Sequence, residues 1–307
     1  MEEYLIETRG LTKQYGSQTA VQDLDLRLQP GHIYGLLGRN GAGKTTTMKM
    51  LLGLTRPTRG EVFLFGQPLA GREKALLPRV GCLIEAPGFY PNLTATENLA
   101  LFAGLRGVPR RDAVAYTLQL VGLPYRDKKL CRDYSMGMKQ RLGLALALLH
   151  DPELLILDEP INGLDPIGIA EMRVFLRRLC DEQGKTILLS SHILSEIAQL
   201  ADDVGILDRG RLLEQTGMAA LEAKTRRYIE LKVPDARQAS QLLDSALHIR
   251  DFTVLDDRTL RLYDLTLPPD RLNRVLYENG LTILELHQCE DTLEDYFRQI
   301  TGGEGIG

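Results

Sequence analysis

The chain has 307 residues, 44% of them hydrophobic, so two domains of ordinary size are expected and wholesale disorder is excluded. The net charge is −4: residues 1–220 carry 26 basic and 25 acidic side chains, and residues 221–307 carry 11 and 16. A near-neutral first part with an acidic second part argues against a nucleic-acid partner, which would require clustered basic side chains.

Neither a membrane span nor a secretion signal is predicted. The longest apolar run, residues 142–149, is much shorter than the ~20 residues that cross a bilayer. The first ten residues carry acids where a signal peptide carries bases. The four cysteines lack the spacing of a metal-ligand set, so reduced thiols and a cytoplasmic location are expected; they are Cys82, Cys131, Cys180 and Cys289.

Strands alternate with helices through residues 1–220. The predicted strands are 4–8, 23–28, 33–37, 154–159 and 186–191, and the predicted helices begin at Lys44, Gly137 and Gly168. The last three of these strands are apolar on both faces, which is typical of a buried parallel sheet covered by helices.

The pattern changes near residue 221 to the order βαββαβ of a ferredoxin-like unit. The predicted elements are a strand at 228–233, a helix at 236–247, a hairpin of 252–255 with 260–265, a helix at 269–279, a strand at 281–287 and a last helix at 292–300. Residues 301–307 are not expected to be ordered.

A phosphate-binding loop is predicted at residues 38–45. GRNGAGKT satisfies G-x-x-x-x-G-K-[ST] and stands between an apolar strand and a helix. Backbone amides of such a loop and the helix N-terminus surround phosphate oxygens. Lys44 then reaches the β- and γ-phosphates, and the Thr45 hydroxyl ligates Mg²⁺. An ordinary glycine turn capped by threonine is the disfavoured alternative.

Two acids close the strand LLILDE. Asp158 can hold the hydration shell of magnesium, and Glu159 is placed to accept a proton from an attacking water. Such a pair can also merely cap a helix, but a phosphate-binding loop earlier in the chain favours the catalytic interpretation.

Residues 134–141, YSMGMKQR, stand at a helix start. Ser135 is a good N-cap and Gly137 leaves its amide unobstructed, so this N-terminus can also bind an anion. A simply capped helix is the alternative. The segment follows the phosphate-binding loop and precedes LLILDE.

This order of motifs resembles the nucleotide-binding subunits of ABC transporters, over about residues 3–218. The resemblance implies ATP and Mg²⁺ as cofactors and an α/β P-loop NTPase domain with a helical subdomain at 1–220. A small α+β accessory domain follows at 221–307. The resemblance also implies a D-loop at 162–165. It assigns catalytic roles to Glu159 and His192, and metal binding to Thr45, Asp158 and Glu85. The residues that it assigns to nucleotide binding are Tyr15 (stacked on adenine), Gly38, Arg39, Asn40, Gly41, Ala42, Gly43, Lys44, Thr45, Thr46, Ser135, Gly137 and Asp165.

Two positions depart from the family pattern. The signature Leu-Ser-Gly-Gly-Gln is replaced by Tyr-Ser-Met-Gly-Met at 134–138, which keeps Ser135 and Gly137. Glu85 stands where the family has a glutamine that links the γ-phosphate and metal to the membrane partner. A carboxylate cannot donate a hydrogen bond unless it is protonated, so the usual coupling role is in doubt.

Several segments narrow the resemblance to the bacitracin-resistance and lantibiotic-protection branch: Glu85, PGFYPNLTATENL (87–99), SMGMKQRLGLALALL (135–149), NGLDP (162–166) and LEDYF (293–297). Members of that branch energise the export of antimicrobial peptides through a separately encoded permease. The resemblance therefore implies a peripheral position on the inner face of the plasma membrane and a head-to-tail dimer of two copies.

Three points stay open at this stage. A soluble ABC-type ATPase acting on ribosomes or DNA is the alternative function, although it usually has two cassettes or a long insertion. A P-loop kinase or GTPase leaves the signature, the D-loop and His192 unexplained. The acidic residues 221–307 can serve as a dimer contact, as a docking aid or in ligand sensing.

Overall fold

The computed structural model describes residues 4–85, 88–224, 227–266 and 268–302. The predicted unordered tail therefore lies mostly outside the described residues. The described chain divides into two compact units, residues 4–218 and 219–302. No helix in these ranges is long and apolar enough to cross a membrane.

The first unit combines three kinds of element: antiparallel strands, parallel strands and helices. Its strands are β1 (Ile6–Tyr15), β2 (Gln18–Leu24), β3 (Arg27–Leu28), β4 (Ile33–Leu37), β5 (Arg59–Leu64), β6 (Gln67–Pro68), β7 (Val80–Leu83), β8 (Leu154–Leu157), β9 (Thr186–Ser191), β10 (Asp203–Asp208) and β11 (Arg211–Gly217). Its helices are α1 (Lys44–Leu51), α2 (Glu73–Leu76), α3 (Ala95–Arg106), α4 (Ala113–Leu120), α5 (Met136–Leu148), α6 (Pro166–Gln183) and α7 (Leu194–Ala198).

The predicted parallel sheet is confirmed and has the order β11-β10-β4-β9-β8-β7, with only β11 antiparallel. Every residue of β4, β8 and β9 is buried, which explains their unbroken apolar sequences. The strand β9 lies between β4 and β8. The loops that follow these three strands therefore emerge side by side at one edge, where ligands of open α/β sheets bind.

A second, antiparallel sheet is formed by β2-β1-β5-β6, with β3 also paired to β1. The predicted first strand ended at residue 8, whereas β1 continues to Tyr15. Polar residues conceal this extension in the sequence, but Thr12 is buried and its hydroxyl bonds to Asp23 in β2. The longer strand is what carries Tyr15 to the turn before β2.

The second unit has the predicted βαββαβ order. It contains β12 (Arg227–Lys232), α9 (Ala236–Ser245), β13 (Phe252–Val254), β14 (Thr259–Leu262), α10 (Pro269–Glu278), β15 (Glu285–Glu290) and α11 (Leu293–Ile300), with α8 (Met218–Glu222) spanning the division between the units. The antiparallel sheet has the order β13-β14-β12-β15, and the core contains Leu231, Leu243, Leu260, Leu272 and Leu276.

The last strand of this sheet differs from its prediction. It was expected at 281–287 but runs over Glu285–Glu290, where it pairs with β12. Leu281 and Ile283 pack on the core from the preceding loop. Apolar residues that fill a core from a loop imitate the alternation of a strand, so the sequence places the strand too early.

Candidate nucleotide site

The predicted phosphate-binding loop connects β4 to α1. The Nζ atom of Lys44 donates to the carbonyl oxygens of Gly38 at 2.6 Å and Arg39 at 3.2 Å. Only 6% of this lysine is exposed. Its ammonium group is thus held inside the turn of the loop, beside the amides at the start of α1, where an anion is stabilised.

Thr45 and Asp158 come together across the sheet edge. The Thr45 hydroxyl donates to Oδ2 of Asp158 at 2.7 Å, and Ser190 in β9 donates to Oδ1 at 2.6 Å. Asp158 follows β8 directly, and its amide donates to Leu83 in β7 at 2.7 Å. Neighbouring strands therefore fix both the backbone and the carboxylate of Asp158.

These groups fit a magnesium ion. A hydroxyl and a carboxylate are hard oxygen ligands, and Mg²⁺ is commonly bound by one or two protein oxygens together with phosphates and water. In the described residues no group of three or more His, Cys, Asp or Glu side chains could hold a metal alone. The nucleotide would thus supply the remaining ligands beside Thr45 and Asp158.

Glu159 is the next residue, and its carboxylate contacts the side chains of His192 and Lys44. Its Oε2 lies 2.7 Å from Nδ1 of His192, and its Oε1 lies 3.3 Å from Nζ of Lys44. Its amide donates to the Ser190 hydroxyl at 2.9 Å. The predicted pair Glu159 and His192 is thus in direct contact.

Glu196 is a further carboxyl group near this pair. Burial raises its pKa above the usual value, and its carboxyl group accepts a hydrogen bond from the Ser191 hydroxyl.

Two glycines bring the β1–β2 hairpin against the phosphate-binding loop. Gly43 has φ +105° and Gly210 has φ +79°, and a Cβ at either position would lie 2.6 Å from the Ala20 carbonyl oxygen. Side chains are therefore excluded at both positions. The amide of Gln22 also donates to Gly210 at 2.8 Å. This contact places Tyr15, which is 50% exposed, at the mouth of the site.

The hairpin and the loop enclose a cleft of about 610 Å³. Predicted residues that line it are Tyr15, Arg39, Asn40, Gly41, Gly43, Lys44, Thr45, Thr46 and Glu159. Ala42 is buried beneath the loop, with 4% exposure. Asn162, the first residue of the predicted D-loop, also lines the cleft, together with four residues that the sequence did not predict: Gln18, Thr19, Ala20 and Arg209. Arg209 lies between β10 and β11, and no local motif marks that turn.

Ser135 and Gly137 lie on another surface. The Ser135 hydroxyl accepts from the Met138 amide at 3.3 Å and caps α5. Their described contacts are with their own helix and with the D-loop: a Cβ on Gly137 would lie 3.6 Å from Leu164. Asp165 caps α6 by accepting from the Gly168 amide. Within the described ranges, none of these three residues has a recorded hydrogen bond to the phosphate-binding loop.

Within the described ranges, Glu85, Asp158 and Glu159 do not form a three-carboxylate group that could hold a metal ion. Glu85 follows β7 with φ 59°, and its Oε1 lies 2.6 Å from Nζ of Lys49 in α1. The partner of this charge in the structure is a lysine of the same chain.

A P-loop followed later in the chain by an Asp–Glu pair at the end of a buried strand, with a capped helix between them, defines an ATP-binding cassette. The chain belongs to the ABC transporter family of ATP-binding subunits, whose members bind and hydrolyse ATP, and residues 21–162 match that family. This confirms the predicted fold class and excludes the P-loop kinase and GTPase alternatives.

The similarity to individual proteins extends beyond the cassette. The chain is 51% identical to the bacitracin transport ATP-binding protein BcrA of Enterococcus faecalis over 99% of this chain and 98% of that protein. It is 41% identical to the lantibiotic transport ATP-binding protein SrtF of Streptococcus pyogenes over 68% of this chain and 89% of that protein. A solved structure of an ATP-binding subunit of an ABC transporter superimposes with a TM-score of 0.64 and 31% sequence identity. The match covers 72% of this chain and 92% of that subunit.

Proposed function

We propose that this chain hydrolyses Mg²⁺-ATP to drive the export of an antimicrobial peptide through a separately encoded permease. The observation that carries the proposal is Glu159, held between Lys44 and His192 at the end of β8. The 51% identity to a bacitracin transport protein over nearly the whole chain supports the peptide as cargo.

The geometry gives each residue a distinct role. Lys44 binds the β- and γ-phosphates, and Thr45 and Asp158 would hold magnesium, which neutralises phosphate charge when bound. Glu159 accepts the proton of the attacking water, and His192 orients its carboxylate by donating from Nδ1. An ionised carboxylate only accepts hydrogen bonds, so Nδ1 of His192 carries the hydrogen.

A second copy of the chain would complete each site. Ser135 and Gly137 lie beside the D-loop rather than against Lys44. Met136, which stands between them, and Ile167, which follows the D-loop in the chain, are 59% and 70% exposed. Exposed apolar side chains next to an anion-binding helix start are suited to an interface. Two copies in head-to-tail contact would bring Ser135 of one to the nucleotide of the other.

The permease would receive the segment that begins at Glu85, and the protein would sit peripherally on the inner face of the plasma membrane. The segment leads from the end of β7 to the start of α3, where Thr94 and Glu97 form a capping box. It therefore begins at the nucleotide edge of the sheet and ends on the helical part of the first unit.

Co-purification with the permease followed by a peptide-stimulated ATPase assay tests this proposal. Membranes that express both chains are extracted, and hydrolysis is measured with and without a bacitracin-type or lantibiotic peptide. We expect a stable complex whose ATPase rate rises with peptide, and no rise in a Glu159→Gln complex. Retained ATPase activity without co-purification or stimulation would favour the alternative of a soluble ABC-type ATPase with a non-membrane target.

A further inference from the structure

The ion pair between Lys49 and Glu85 joins two segments with different tasks. Lys49 lies in α1, whose first residues form the phosphate-binding site, and Glu85 begins the segment beyond β7. Their atoms Nζ and Oε1 are 2.6 Å apart, with side-chain exposures of 32% and 64%. In the described part of the chain this is the one recorded ion pair of either side chain.

Lys49 lies near the charge of Asp158 as well as against Glu85. It stands four residues after Thr45, so the two side chains lie on the same face of α1. The hydrogen bond to Glu85 raises the pKa of Lys49, and the neighbouring Asp158 acts in the same direction. One face of α1 thus contacts both Asp158 through Thr45 and Glu85 through Lys49.

The sheet register explains why Glu85 can reach this face. Leu83 in β7 pairs with Leu157 in β8, so Glu85 and Asp158 follow the ends of adjacent parallel strands. Glu85 takes the left-handed backbone conformation at φ 59°, which L-residues other than Asn and Asp rarely adopt. The ion pair is a contact that can hold this glutamate in an unfavourable backbone conformation.

We propose that Lys49 is a positioning residue for transport: it supplies the positive charge that Glu85 requires and fastens the start of the 85–98 segment to α1. A change at Thr45 and Asp158 on nucleotide binding is then passed through one rigid helix to the segment that meets the permease. The role of Lys49 in transport rests on the proposed function. The contact by which Lys49 holds Glu85 against α1 is a property of the isolated chain.

Hydrogen exchange of the isolated chain tests the fastening directly. Amide exchange over residues 80–92 is compared in wild type, Lys49→Met, Lys49→Arg, Glu85→Gln and the double variant Lys49→Met/Glu85→Gln. The control is Lys74→Met, which removes an exposed helical lysine with no recorded ion pair in the described residues. Thermal unfolding of each variant reports general destabilisation.

We expect Lys49→Met and Glu85→Gln to speed exchange by about 2- to 5-fold, as suits a partly exposed ion pair. The double variant should be no faster than either single variant, while Lys49→Arg and Lys74→Met should match wild type. Unchanged exchange in Lys49→Met, or additive effects in the double variant, would overturn the proposal.

The permease complex gives the second readout. Peptide stimulation of ATP hydrolysis should fall in Lys49→Met, return in Lys49→Arg, and be no lower in the double variant than in Glu85→Gln. Equal stimulation in Lys49→Met and wild type would contradict the role in transport. If the wild-type complex shows no stimulation, the proposed function fails, and the exchange experiment still decides whether Lys49 fastens Glu85.

Discussion

The Nδ1 atom of His192 lies 2.7 Å from Oε2 of Glu159, so the residues that follow β9 and β8 form one hydrogen-bonded unit. The same glutamate faces Lys44 through Oε1. The main chain of Glu159 is fixed as well: its φ is 50°, and its amide donates a hydrogen bond to the Ser190 hydroxyl. The carboxylate is therefore held by two side chains, and its backbone by a third, before any water is positioned.

Replacing His192 with alanine should lower the hydrolysis rate at saturating ATP by at least about tenfold, because Glu159 loses its orienting donor. ATP affinity should change less than about twofold, since His192 does not line the cleft. Steady-state kinetics and a nucleotide titration separate the two effects. His32→Ala is the matched control, because His32 makes a similar 2.7 Å contact with Asp203; equal losses in both variants would contradict the role of His192.

Replacing Lys44 with alanine should abolish measurable ATP binding or weaken it by at least about tenfold. The variant loses charge-assisted hydrogen bonds to phosphate, and the remaining donors of the loop are neutral amides. Calorimetric titration measures the affinity, and Lys74→Ala serves as the control at an exposed helical lysine. An unchanged affinity would refute the assignment of the phosphate-binding loop.

Mixing two inactive variants tests the composite site. Ser135→Arg should bind ATP but not hydrolyse it, and Lys44→Ala should not bind it. In a mixed dimer one site combines both damaged elements and the other contains only intact ones, so hydrolysis should return above that of either variant alone. Crosslinking verifies that mixed dimers form. No recovery under those conditions would contradict a site shared between two copies.

His150 should make the stability of the first unit depend on pH. Its Nδ1 accepts from Arg106 at 2.7 Å and its Nε2 donates to the Val80 carbonyl at 3.1 Å, which requires the neutral ring. Burial, and next the charge of Arg106, lower its pKa below the usual 6.5.

The folded state therefore binds fewer protons than the unfolded state just below pH 6.5. Stability from His150 is fully present above that pH and is lost as the pH falls through the lowered pKa. The unfolding temperature should drop between pH 7.5 and pH 5.0, and the drop should be smaller in His150→Gln, whose amide can replace both hydrogen bonds. A scanning experiment that finds equal drops in the two proteins would contradict this.

Motifs that are continuous in the chain could be predicted from the sequence, and contacts between motifs could not. The phosphate-binding loop and the strand before Asp158 carry their own patterns of glycine and apolar residues. The contact of His192 with Glu159 depends instead on the order β4-β9-β8, which spacing along the chain does not encode. Arg209 reaches the cleft for the same reason, through the docking of Gly210 on Ala20.

The environment of Glu85 shows the same limit. Its departure from the family pattern is visible in the sequence, but the partner of its charge is not. Lys49 belongs to α1, 36 residues earlier, and nothing in the pattern of that helix distinguishes it from a solvated lysine. Only the pairing of β7 with β8 brings the two side chains together.

The rate of a single turnover in Glu159→Gln, measured with ATP affinity in the same preparation, tests directly whether Glu159 is the general base. Glutamine keeps the size of the side chain but removes the proton acceptor, and general-base catalysis contributes about 10²- to 10⁴-fold. We predict that the variant binds ATP as wild type does, accumulates as an ATP-bound dimer and hydrolyses at least about 100 times more slowly. Hydrolysis at the wild-type rate would contradict the assignment of Glu159 as the base and with it the mechanism.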